Sequence, residues 1–226
     1  MKKWMIILVA TLLLMLCTSA LADGIEAYVS ISDAKGELVM AYEKVLVTDL
    51  DEDGALTIND ALIAAHEQKH PDGKDAFISE KTEYGISMVK LWGEENGGSF
   101  GYYLNNASAW SLLDPIVSED HVKTYAFTDL EMWSDTYAYF TQDAVTVKAG
   151  EAFEVKLCAA GYDANWNPVP LSVANAVMMI DGVAADAMTD AEGVAVITVM
   201  ETGVYVLSAA STDMTLVPPV CIVTVE

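Results

Sequence analysis

Asp49, Asp51 and Asp53 stand at alternate positions of one acidic stretch, Asp49-Leu50-Asp51-Glu52-Asp53-Gly54-Ala55-Leu56-Thr57-Ile58-Asn59-Asp60. Carboxylates at positions one, three and five of a loop converge only if the backbone turns sharply, and Gly54 at position six supplies that turn. Ala55 would add its carbonyl oxygen, Thr57 would act through a water, and Asp60 would close the shell at the twelfth position. Six oxygen ligands in this order suit a hard divalent cation, and calcium is the expected one. Asp60 is shorter than the Glu that usually closes such a shell, so bidentate ligation is harder and the expected affinity is weak, on the order of 10⁻⁵ to 10⁻³ M. The competing reading is an acidic, solvated turn before a helix, with its Asp and Asn residues serving as caps.

A second stretch asks for different chemistry. His66-Glu67-Gln68-Lys69-His70 is a literal H-E-x-x-H. In that pattern two histidines one helical turn apart bind zinc while the Glu acts as general base on the bound water. Three features weigh against it here. Pro71 pushes His70 out of α geometry, the helix ends at the motif, and His121 is the only other histidine. The alternative places His66 beside the apolar face and His70 as a polar residue at the helix C-terminus. Asp163-Ala164-Asn165-Trp166-Asn167 also spaces oxygen ligands alternately, but it lacks the Gly and the closing acid and reads as a turn. Neither a Gly-rich phosphate loop nor a G-x-S-x-G elbow occurs.

The elements that must hold these residues follow from composition and period. All 11 basic residues are lysine against 34 acids, giving a net charge of −23. A nucleic-acid binder needs a basic stripe and planar guanidinium forks, so that class is excluded, and an anionic membrane surface is disfavoured for the same reason. Lys2 and Lys3, the apolar run Trp4 to Cys17 and Ala20-Leu21-Ala22 form an expected signal peptide, residues 1–22. Its loss would carry the net charge to −25. A lipoprotein anchored through Cys17 is the alternative. No other run is long and apolar enough to span a membrane. The expectation is an exported protein at the cell surface or outside it. Cys158 and Cys221 would survive processing, and an exported compartment permits a disulfide, but their spacing does not fix whether they meet.

Residues 25–48 read as a hairpin, and a helix starts near Thr57 with Ile58, Ala61, Leu62 and Ala65 on one apolar face. It stops at Pro71-Asp72-Gly73. Strands are expected at Ile86–Trp92, Phe100–Asn105 and Val122–Phe127, after an uncertain connector at 74–84. Residues 129–143, with Trp133, Tyr137, Tyr139 and Phe140, read as an aromatic connector that packs a junction. From Ala144 short strands recur between turn signals, at 144–148, 153–158, 171–180, 193–200, 203–209 and 220–225, which argues for a small β-sandwich.

Hairpin, helix and further strands make a β-grasp order. Tyr84-Gly85, Leu91-Trp92-Gly93, Phe100-Gly101-Tyr102-Tyr103-Leu104-Asn105-Asn106 and Val122 to Phe127 together resemble the C-terminal β-grasp domain of the transcobalamin and intrinsic-factor family, over roughly residues 25–130. That resemblance implies the fold and, as an alternative function, capture of a small corrinoid-like ligand. The acidic loop resembles those of EF-hand and dockerin modules, and residues 189–209 resemble bacterial Ig-like surface modules. The organisation expected is an α+β β-grasp-like domain at 23–128, the connector at 129–143 and an all-β Ig-like sandwich at 144–226. The expected function is a non-catalytic, calcium-binding extracellular module whose partner is an unidentified protein, glycan or small ligand. A zinc hydrolase on His66 and His70 is the enzymatic alternative.

Overall fold

The computed structural model describes residues 24–83 and 85–226. The expected signal peptide, the Cys17 alternative and Tyr84 lie outside them. The described residues are mostly β, with one α-helix and several sheets that mix parallel and antiparallel pairing.

Alternation sets the first sheet. In β1 (Ile25–Ser32) Ala27, Val29 and Ile31 point inward and are fully buried, and β2 (Leu38–Val47) returns beside it with Met40, Val45 and Val47 buried. The acidic loop follows, and then α1 (Ile58–Lys69). Its predicted face is the real one, since Ile58, Ala61, Leu62 and Ala65 are all fully buried in the core shared with β1 and β2. Burying each large aliphatic side chain there contributes about 1.5–3 kcal/mol. The helix ends because His70 precedes Pro71 and takes an extended conformation, φ −87° and ψ 141°.

The 74–84 connector gains an exposed polar strand, β3 (Ile78–Thr82), paired with β4 (Gly85–Lys90). Next come β5 (Phe100–Leu104), β6 (Ala107–Ser108) and β7 (His121–Ala126). The main sheet has the order β2-β1-β7-β5-β6, with β7 parallel to β1. β5 and β6 are joined by a two-residue turn, Asn105-Asn106, whose φ values of 50° and 65° fit the tight hairpin turns that asparagine tolerates. Gly101 on β5 is required by its neighbour: a Cβ there would lie 2.3 Å from the Tyr125 ring.

Beyond residue 128 the strands form two further sheets. β8 (Thr136–Phe140), β10 (Ala152–Tyr162), β11 (Pro168–Ser172), β14 (Val194–Thr198) and β16 (Leu216–Val217) make one. β9 (Ala144–Val147), β12 (Val177–Ile180), β13 (Val183–Met188), β15 (Gly203–Ala210) and β17 (Cys221–Val225) make the other. Leu157, Ala195 and Ile197 from the first share one core with Met178, Leu207 and Val223 from the second. Part of the expected connector is therefore strand, since β8 pairs with β10. The expected single strand 171–180 is two, because the chain leaves one sheet at Ser172 and enters the other at Val177. Cys158 and Cys221 are free, buried thiols, and burial pushes the Cys221 pKa up to about 12. Among the described residues no helix is long and apolar enough to cross a membrane.

The two halves meet through β7. Tyr125 packs with Tyr137 and Val217, and Tyr103 stacks on Tyr137 with ring centroids 3.5 Å apart. Beside them Asp143 Oδ1 accepts from His121 Nδ1 and from Lys123 Nζ, each at 3.1 Å. Burial pushes Asp143 up, but the hydrogen bond from His121 and the Lys123 charge outweigh it and leave its pKa below the usual carboxylate value. His121 Nε2 accepts from Ser30 Oγ at 2.8 Å. Burial lowers the His121 pKa to about 4, so the ring is neutral at pH 7.

Candidate metal site

The acidic loop joins β2 to α1, and both ends are pinned. At the helix end Thr57 is the N-cap, and a reciprocal capping box joins it to Asp60. Asp60 Oδ2 accepts from the Thr57 backbone N–H at 3.0 Å and its hydroxyl at 2.8 Å, while Oδ1 accepts from the Leu50 N–H at 2.8 Å. Burial is the largest influence on Asp60 and raises its pKa. The loop's far wall is the segment 110–116. Ile58 N–H donates to Asp114 O, Asn59 N–H to Leu112 O and Ile116 N–H to Leu56 O.

Between these anchors the backbone curls through the left-handed region at Glu52 (φ 58°) and Gly54 (φ 87°). A Cβ on Gly54 would meet nothing within 4 Å, so glycine serves here for its φ and not for space. The curl brings Asp49, Asp51 and Asp53 together, with one carboxylate oxygen of each within 4.8 Å of the others. Asp49 Oδ1 and Oδ2 accept from the N–H groups of Asp53 and Gly54, and Asp53 Oδ1 accepts from that of Ala55.

Asp51 differs from the other two. Its Oδ2 accepts from Asn59 Nδ2 at 2.9 Å, and Asn59 Oδ1 in turn accepts from Ser79 Oγ at 2.7 Å. Its Oδ1 is buried with no hydrogen-bond partner, and no other buried side-chain polar atom among the described residues lacks one. A buried carboxylate oxygen costs about 1–3 kcal/mol or more unless a donor, a water or a cation meets it, and no protein group meets this one. Three convergent carboxylates are hard oxygen donors and fit a metal cation.

The six predicted ligands thus divide. Asp49, Asp51 and Asp53 converge. Ala55 follows them in the curl. Thr57 and Asp60 are instead engaged at the helix start, where the orphan N–H groups of the first turn demand acceptors. The loop is a carboxylate cluster in its first half and a helix cap in its second. Asn59 and Ser79, which orient Asp51, were missed. Asn59 lies inside the motif at a position with no ligand role, and Ser79 sits on a strand too polar to read.

At the other end of α1 the H-E-x-x-H residues sit in an aromatic cluster. His66 is fully buried, 5.2 Å from the Phe77 ring and 5.2 Å from that of Trp92. Its Nδ1 donates to the Leu62 carbonyl at 2.6 Å, so Nε2 is the acceptor, and it takes the Trp92 N–H at 3.0 Å. No lone pair on His66 is left for zinc. Burial lowers its pKa to about 4. His70 Nδ1 accepts from the Asp72 N–H, and its ring meets Trp92 edge-on at 4.7 Å. The Asp163 turn is also self-satisfied: Oδ1 accepts from the N–H groups of Asn165 and Asn167, and Oδ2 from Asn167 Nδ2.

No family model matches the chain, and no curated protein matches it. Among solved structures, crystal structures of the N-terminal four Ig domains of Dscam1 are similar. Isoform 6.9 shows 13% identity and isoform 9.44 shows 15%, each at a TM-score of 0.26. Each comparison covers 66% of this chain and 32% of that one, so this chain spans about a third of their length. A likeness this slight carries no argument about fold or function.

Proposed function

We propose that this chain is an exported, non-catalytic binding module in which the 49–60 loop holds a structural calcium ion. The observation that carries the reading is Asp51 Oδ1, a buried acceptor without a donor, set among the convergent oxygens of Asp49 and Asp53. Calcium there would replace mutual repulsion of clustered carboxylates with attraction and tie the end of β2 to the start of α1. Stability would then rise with free calcium by linkage. The order β2-β1-β7-β5, with β1 and β7 parallel and α1 packed against β1 and β2, supports reading the first half as β-grasp-like. The shared core of the two later sheets supports an Ig-like sandwich.

The test is calcium calorimetry on residues 23–226, with thermal melts in calcium and in chelator. One site of micromolar to millimolar affinity, with a higher Tm in calcium, is the expected result. No heat at millimolar calcium would leave the stretch as an acidic helix cap and end the proposal.

A further inference from the structure

A cleft of about 750 Å³ opens where the two halves meet, walled by β5, β6 and Trp110 on one side and by β10, β11 and Trp166 on the other. We infer that this cleft binds a neutral carbohydrate chain, stacking sugar rings on Trp110, Trp166 and Tyr162. The inference names a ligand class for the binding role proposed above and rests on that role, but not on the calcium loop.

Its volume falls within the range of small-molecule sites. Three large aromatic side chains stand in water around it: Trp110 is 95% exposed, Trp166 81% and Tyr162 58%. Exposed apolar rings gathered at one concavity mark an interaction site. The concavity is also uncharged. In a chain that is 20% charged and carries a net −23, none of the fourteen lining residues bears a charge. An anionic ligand would find no cation, and a cationic ligand would find none of the abundant carboxylates. The complement is a neutral molecule.

A polar anchor is already oriented. Asn106, on the cleft wall, accepts at Oδ1 from Lys123 Nζ (2.7 Å) and from Tyr137 Oη (2.9 Å). Two donors on one oxygen fix which way the amide faces, and its Nδ2 has no hydrogen-bond partner among the described residues. A fixed N–H donor beside open ring faces suits a ligand with an apolar face and a hydroxyl edge, which describes a pyranose. An oily ligand would instead require enclosure of its apolar surface.

A peptide is disfavoured by the same wall. β11 is an edge strand, and Pro168 and Pro170 alternate along it. Proline at an edge strand stands where an outward N–H would otherwise be, so an added peptide strand would find these donors missing. The other wall, β6, is only two residues long.

The experiment is a tryptophan-fluorescence titration of residues 23–226 with neutral hexasaccharides, namely maltohexaose, cellohexaose, xylohexaose and mannohexaose. A hexagalacturonate and a proline-rich decapeptide serve as competitors of other classes. Saturable binding of at least one neutral hexasaccharide is expected, weakened about tenfold or more by Trp110→Ala and by Trp166→Ala. Trp133→Ala, at an exposed ring outside the cleft, should leave it unchanged. Both cleft tryptophans are largely in solvent, so these variants should fold, and a thermal melt checks that they do. No binding of any of the four at millimolar concentration overturns the proposal, as does binding insensitive to both tryptophans or tryptophan-dependent binding of the acidic sugar or peptide alone. Running the titration in calcium and in chelator separates the two readings. Sugar binding with no calcium heat would leave the cleft standing without the loop, and calcium heat with no sugar binding would do the reverse.

Discussion

The two ends of α1 carry two metal-binding signatures, and the chain treats them in opposite ways. At the N-terminal end the backbone curls until three carboxylates converge, and one buried oxygen is left with no donor. At the C-terminal end both ring nitrogens of His66 are already hydrogen-bonded, to Leu62 O and from Trp92 N. A motif counts donor atoms. A metal needs lone pairs that nothing else in the fold has taken. The D-x-D-x-D-G loop passes that criterion and the H-E-x-x-H does not.

The largest effect expected from this contrast is at His66. His66→Ala leaves a cavity and strands the Trp92 N–H, and should cost about 2–4 kcal/mol by denaturant unfolding, in chelator as much as with zinc. A variant of wild-type stability that had lost only zinc affinity would break the comparison. Next is Asp51→Ala, which should abolish the calcium heat and with it the calcium-dependent stabilisation. That stabilisation amounts to about 2.7 kcal/mol when calcium stands a hundredfold above its Kd. Survival of the heat would show that the unpartnered oxygen is not a ligand.

Acid should act on the histidines. An unfolded His takes its proton near pH 6.5, while buried His66 and His121 take theirs only near pH 4. Between those values the unfolded chain holds more protons. Stability is therefore fully present above about pH 6.5 and falls as the pH drops toward 4, by up to about 1.4 kcal/mol per pH unit for each ring. Denaturant midpoints measured across this window should shift downward, and a His66→Asn variant should show a flatter profile. Unchanged midpoints in the wild type would mean the rings are not held neutral.

Asp60→Ala should lose about 1 kcal/mol even in chelator, because its cap exists without metal. Equal stability in chelator, with a loss only in calcium, would restore it as a pure ligand. The smallest expectation is none at all: Asp163→Ala should leave the calcium isotherm unchanged, because that carboxylate is engaged by its own turn.

What could be read from residues alone follows the same division. Alternation exposed β1 and β2, and the 3.6-residue period exposed the Ile58, Ala61, Leu62 and Ala65 face, because both patterns are imposed locally by burial. β3 was invisible because Ile78–Thr82 is polar and exposed. β8 was hidden by its aromatic content, which burial in a sheet and burial in a junction reward equally. The 171–180 stretch read as one strand because its apolar residues run on, while the switch between sheets is a tertiary event. In the candidate site, spacing announced the convergence of Asp49, Asp51 and Asp53. That Thr57 and Asp60 would serve the helix was equally legible as a capping signature, but only the folded backbone shows which role each residue takes. Asp143 could not have been picked out, since its partners His121 and Lys123 lie about twenty residues earlier in the chain.

The parallel pairings have a consequence in time. β1 completes its sheet position only against β7, and β9 only against β17. Each half is therefore closed by joining an early strand, β1 in the first and β9 in the second, to its last, across most of its own length. A chain delivered N-terminus first, from a ribosome or through a narrow pore, must hold β1 open until residues 121–126 emerge and β9 open until residues 221–225 do. Such late, long-range closures are slow, and they keep the edges of β1 and β9 unpaired during delivery. The hairpin of β1 with β2 can form at once, so the first half has a local nucleus to wait on. The second half has none for β9, whose only partner strand among the described residues is β17. Of the two, the second half should be the later to lock and the first to open.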